Sequence, residues 1–142
     1  MSTAPVNLSL LRDDIRRAYD ALVQQRFGSL SPRQQQHLRE IDFSVERVME
    51  SINEYLANKA LPDGDQTADP RYRLMYAART PMEMILQCAY FLHINSMRKT
   101  EPLNHDQLEA VWLLERSGRK FVLEIERLWA EMRDEWAEAQ QT

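Results

Sequence analysis

Residues 30–56, LSPRQQQHLREIDFSVERVMESINEYL, carry the pattern that decides the fold. Leu38, Ile41, Val45, Val48, Ile52 and Tyr55 recur at alternating spacings of three and four, and Met49 and Leu56 widen the stripe. Side chains so spaced share one face of an α-helix. A seam this regular packs on other long helices at a shallow angle, as in a bundle. The start is marked three times: Ser31 can cap, Pro32 suits the first helical position, and Gln34 completes a capping box. The spacing predicts a helix from about Pro32 to Asn58.

Working outward, residues 103–129, LNHDQLEAVWLLERSGRKFVLEIERLW, repeat that logic. Asn104 can cap, Gln107 sits at the capping-box position, and Leu103 can staple against Leu108. The stripe runs Leu108, Val111, Leu114, Gly118, Phe121, Ile125, Leu128, with Trp129, Met132 and Trp136 extending it. Residues 137–142 are expected to fray. The two stretches superpose without a gap at an offset of 73 residues. Leu30 falls on Leu103, Ser31 on Asn104, Gln34 on Gln107, Ser44 on Ser117 and Ile52 on Ile125; Gly118 is the one non-apolar match on the stripe.

Two further helices complete the pattern. Leu8, Leu11, Ile15, Ala18 and Leu22 make a stripe between Asn7 and Phe27, and Gly28 supplies a stop. Residues 61–70, LPDGDQTADP, are linker-like, and Asp69-Pro70 can cap the next helix. That helix contains residues 71–95, RYRLMYAARTPMEMILQCAYFLHIN, and should end before Pro102. Pro81 removes one backbone bond inside it and would kink it; the apolar face continues on both sides, which favours one helix over two. The expected fold is all-α: a single-domain antiparallel four-helix bundle of two hairpins, about 7–58 and about 71–139, joined by a linker over 59–70, with the repeat read as an internal duplication.

Composition narrows the function classes. A chain of 142 residues suits one domain with a continuous core. Three glycines leave little material for tight β-turns, and a charged fraction of 28% favours helices. The net charge of −4 disfavours a general affinity for nucleic acid. The single Cys88 excludes an internal disulfide and fits a reducing compartment. No apolar run approaches about 18 residues, so no membrane span is expected, and no signal peptide is evident. The expected location is cytoplasmic.

Arg79-Thr80-Pro81, followed by Met82, Ile85, Leu86, Ala89 and Leu92, resembles the histidine-box helix of two-component sensor kinases. Residues 30–56 and 103–129 resemble the second helix of that family's dimerisation and histidine-phosphotransfer domain. The resemblance implies a hairpin bundle. In the family two subunits contribute two hairpins; this chain looks like a single-chain version, or forms a homodimer of its own. The family places its phosphorylated histidine five residues before the proline and usually an acidic residue next. Here those positions hold Tyr76 and Ala77. Tyrosine cannot form the labile phosphoramidate, and alanine cannot act as base. No ATP-binding domain follows in this sequence, so autokinase activity is not expected.

Three readings follow. The first is a non-catalytic module that docks a response-regulator receiver domain or a sensor histidine kinase and inhibits or adapts signalling. Equal rise along antiparallel helices sets Tyr76 opposite residues 124–127, so the expected patch is Tyr76, Arg79, Thr80 and Glu83 with Lys120, Glu124 and Arg127. The second is a stand-alone phosphotransfer protein using His93 or His37. His93 otherwise reads as a helix-end residue, and His37 and His105 as surface residues in first turns. The third is a helical scaffold. No cofactor or metal is expected: the histidines and Cys88 have no zinc spacing, no Glu-x-x-His pair occurs, and no glycine-rich phosphate loop is present. Cys88, beside Ile85 and Ala89, should be buried and inert. Trp136 is a candidate partner anchor.

Overall fold

The computed structural model describes residues 8–24, 30–57 and 69–141. These form four helices: α1 (Leu8–Gln24), α2 (Pro32–Ala57), α3 (Pro70–Met97) and α4 (His105–Gln141). Among the described residues there is no strand. α2 packs on α3, α3 on α4, and α1 on both α4 and α2, so α1 and α3 stand on one diagonal and α2 and α4 on the other. Neighbours in sequence run antiparallel, as the cross-helix pairs record. Arg12 meets Asn53, Arg16 meets Glu46 and Tyr19 meets Asp42 between α1 and α2. Arg73 meets Glu54 and Phe91 meets His37 between α2 and α3. Arg71 meets Glu135 and His93 meets Glu115 between α3 and α4. The protein is an all-α four-helix bundle.

The four stripes meet in one core. Leu8, Leu11, Ile15, Ala18 and Leu22 of α1 are buried, with Ile41, Val45, Val48, Met49 and Ile52 of α2. Met82, Ile85, Ala89 and Leu92 of α3 join Val111, Leu114, Phe121, Ile125 and Leu128 of α4. Leu38, Tyr55, Leu56 and Leu86 pack on this core half-buried. Gly118 lets α3 and α4 approach closely: a Cβ there would fall 2.8 Å from Leu86 Cδ2.

The helix starts follow their capping signals. Ser31 Oγ accepts from Gln34 N at 3.1 Å, and Gln34 Oε1 accepts from Ser31 N at 3.0 Å. Asn104 Oδ1 accepts from Gln107 N at 2.8 Å, and Gln107 Oε1 accepts from Asn104 N at 2.9 Å. The same reciprocal box thus opens α2 and α4. Asp69 caps α3 by accepting from Arg71 N at 2.9 Å, with Pro70 in the first turn. Burial works to raise the Asp69 carboxyl, and the side-chain and backbone bonds from Arg71 outweigh it, holding the group below its ordinary value. Arg71 also reaches Glu135 at 2.6 Å, which ties the start of α3 to α4.

α3 runs unbroken through the buried Pro81 to Met97, ahead of Pro102. Lys99 then turns the chain with a left-handed φ of 60°. α4 stays helical to Gln141, beyond the expected fraying point at 137, although residues 137–141 are exposed. The turn before them is anchored by Arg71 on Glu135 and by Trp136 against Trp129, and backbone bonding propagates from it. The expected stop at Gly28, the end of the first helix beyond Gln24 and the linker over residues 59–68 lie outside the described residues.

Candidate functional site

A groove of about 550 Å³ lies between α2 and α3. Glu40, Phe43, Ser44, Arg47, Glu50, Ser51 and Glu54 form its α2 wall, and Tyr76, Ala77, Thr80, Pro81 and Met84 its α3 wall. The helix period explains the two walls. Phe43 lies between the stripe residues Ile41 and Val45 and so points off the core face; it is 61% exposed. Tyr76 lies between Leu74 and Ala78 in the same way and is 76% exposed. Arg47 lays its guanidinium 5.5 Å over the Phe43 ring. Tyr72 stacks on Tyr76 at 6.2 Å and meets Trp129 at 6.0 Å; Trp129 in turn meets Trp136 at 6.5 Å. An aromatic chain therefore leads from the groove across to α4, and Trp136 ends it half-buried.

The seven residues expected to make one patch are divided over different faces. Tyr76 and Thr80 line the groove toward α2. Arg79 and Glu83 pair with each other at 3.2 Å and line a smaller recess with Val122, Ile125, Glu126 and Trp129. Lys120 is exposed, whereas Glu124 is only 4% exposed. Its carboxylate is bonded by Arg127, whose Nε lies 3.1 Å away, and Arg127 also binds Glu131. Glu124 and Arg127 act electrostatically on Tyr55 of α2, whose phenol burial pushes upward. The direction each residue takes on α4 is what divides the patch. At about 100° per residue, 122, 125, 126 and 129 share one side of α4, while 120, 124, 127 and 131 share the opposite one.

The histidines differ sharply. His93 Nδ1 lies 3.1 Å from Glu115 Oε1, and Arg119 donates to the other oxygen at 3.0 Å. Glu115 is 4% exposed, so this is a buried carboxylate holding a half-exposed imidazole rather than a helix-end contact. Trp112 and Tyr90 stand edge-on to the ring at 5.7 and 6.5 Å. The tautomer in which Nδ1 donates to the carboxylate is the one that places the lone pair on Nε2. Among the described residues no carboxylate bonds His37 in this way; it stacks on Phe91 at 5.5 Å, and burial lowers its pKa. His105, Asp106 and Glu109 bring ligand atoms within 4.8 Å on the first turn of α4, all exposed to solvent. Cys88 is buried, and burial raises its thiol.

Sequence reasoning did not single out Phe43, Arg47, Glu50 or Glu115. The off-stripe phenylalanine was the available signal for the groove. Glu115 could be paired with His93 only once the register of α3 and α4 was known. No protein-family model matches the chain, and no curated protein or solved structure matches it either. Among the described residues no helix is long and apolar enough to cross a membrane.

Proposed function

We propose that the protein is a non-catalytic docking module that binds a response-regulator receiver domain or a sensor histidine kinase and restrains two-component signalling. The observation that carries this reading is the groove between α2 and α3. It is flanked by two exposed aromatic side chains, and one of them, Tyr76, occupies the position where the resembled family keeps its phosphoacceptor. A soluble surface that leaves Phe43 and Tyr76 uncovered beside an open groove has the makings of a partner site, because aromatic anchors in partly enclosed pockets dominate interface energetics. Purified receiver domains and kinase dimerisation domains, titrated against the wild type and a Phe43→Ala/Tyr76→Ala double variant, test it. At least one should bind, with affinity reduced about tenfold or more in the variant. If none binds, or the variant binds equally, the reading fails.

One observation favours a second reading. The Glu115 carboxylate orients His93 and leaves Nε2 free to attack phosphorus. Transfer from a phosphorylated receiver would form an Nε2–P bond and release the receiver's aspartate as carboxylate. Acid-labile label on the wild type, absent from His93→Gln and retained in His37→Gln, is the expected result. Label that survives His93→Gln sinks this reading.

A further inference from the structure

We propose that the α2/α3 groove takes an amphipathic helix of about four turns, apolar along one face and flanked by lysine or arginine. This rests on the docking reading and adds the chemistry of the element that docks. From Glu40 to Glu54 the α2 wall rises over about 21 Å, the length of a helix of about 14 residues. Pro81 and Ser44 in the wall are buried, while Phe43 and Tyr76 stand out at its sides as exposed anchors. A helix satisfies its own backbone groups, so it can lie in this groove without stranding its backbone donors or acceptors. An extended peptide would need a sheet edge to pair with, and among the described residues there is none.

The charges of the groove select the sign of the partner. Among the described lining residues, Glu40, Glu50 and Glu54 stand against one cation, Arg47, which is turned onto Phe43. Glu50 and Glu54 are one helical turn apart on the same ridge, so an incoming pair of basic side chains at the same spacing can meet both. Glu54 already attracts Arg73, at 3.8 Å with both side chains more than half exposed, which shows that the ridge draws cations. Pro81 has no N–H to give the Ala77 carbonyl four residues before it, and both residues line the groove. The groove wall therefore includes a carbonyl that lacks its usual donor four residues on. Among the described residues, an acidic helix would face three carboxylates with Arg47 in the lining and Arg73, already paired with Glu54, beside it.

The test uses the full chain and two synthetic peptides of about 16 residues. One carries leucine and tryptophan along one face with lysines on either side; the other has glutamate in place of every lysine. Binding is followed by isothermal titration. The lysine peptide should bind one to one, the glutamate peptide should not, and Phe43→Ala/Tyr76→Ala should weaken the lysine peptide about tenfold. Glu50→Lys/Glu54→Lys should reverse the preference. All four positions are exposed, so the variants are expected to fold, and their circular dichroism melts check it. Equal binding of both peptides, binding untouched by the aromatic variant, or an unreversed preference overturns the proposal. So does self-association of the protein that the aromatic variant abolishes, because a second copy would then own the groove. If the lysine peptide binds as described while every receiver and kinase domain fails, the helix proposal stands and the signalling reading falls. If a receiver docks in the groove through an acidic element, the reverse holds.

Discussion

Replacing Gly118 by alanine probes the closest approach between α3 and α4. A Cβ at this position falls 2.8 Å from Leu86 Cδ2 and 3.0 Å from Met82 Sδ, both inside ordinary contact distance. Met82 is fully buried and cannot swing to solvent, whereas Leu86 is half-buried and has room to move. Two effects oppose each other. Alanine favours the helix over glycine by about 1 kcal/mol, and an extra methyl in a filled core costs about 1–3 kcal/mol. Two neighbours must give way, so the middle of that range applies and the net loss is about 1 kcal/mol. In a Leu86→Ala background the closer contact disappears and the propensity gain is exposed. There Gly118→Ala should be neutral to stabilising by about 1 kcal/mol. The coupling between the two positions is then about 1–2 kcal/mol, within the range for residues in contact. Urea denaturation of the four proteins, followed by far-ultraviolet circular dichroism, measures it. A coupling below about 0.3 kcal/mol would mean that the close approach is not what this glycine serves.

Lys99 holds a left-handed backbone, so Lys99→Gly should raise stability by about 0.5–1 kcal/mol in the same assay; a loss of stability would deny that the turn is strained. Asp69 has a carboxyl held below its ordinary value by Arg71. Its contribution is present above the unfolded value of about 4 and is lost as pH falls through the lower folded value. The stability advantage of the wild type over Asp69→Asn should therefore shrink on acidification below about pH 5; an advantage that does not change between neutral and acid pH would remove the Arg71 pair as its cause.

Most of the fold was legible because its signals are local. The stripes of α1, α2 and α4 follow the helical period, and the boxes at Ser31–Gln34 and Asn104–Gln107 are spelled out within four residues each. The candidate site was less legible because it depends on which way helices face one another. Tyr76 is expected to face α4, yet it lines the groove toward α2, and Glu124 is buried and bonded to Arg127. His93 was found as a residue and missed as a pair, since Glu115 lies 22 positions away on another helix. Periodicity fixes a face within one helix; only packing fixes the azimuth between two.

The repeat at an offset of 73 residues supplies a control for the groove. Both second helices open with the same capping box, and Asp42 and Glu115, which match at this offset, each bond a ring on the helix before: Tyr19 in the first hairpin, His93 in the second. The groove ridge of α2 has its counterpart on α4, where Phe43 maps to Arg116, Arg47 to Lys120 and Glu50 to Leu123. Leu123 is as uncovered as Phe43, at 66% exposure. If exposed apolar area alone drew the lysine peptide, the α4 ridge would compete for it. Its net charge, however, is opposite in sign: Lys120 keeps the cation of Arg47, Arg116 stands in place of Phe43, Leu113 and Leu123 in place of Glu40 and Glu50, and Arg127 in place of Glu54. Leu123→Ala should therefore leave the affinity for the lysine peptide within about twofold of wild type, while Phe43→Ala/Tyr76→Ala lowers it about tenfold. Equal losses in the two variants would show that the peptide follows greasy surface wherever it is exposed, and that the acidic ridge of α2 selects nothing.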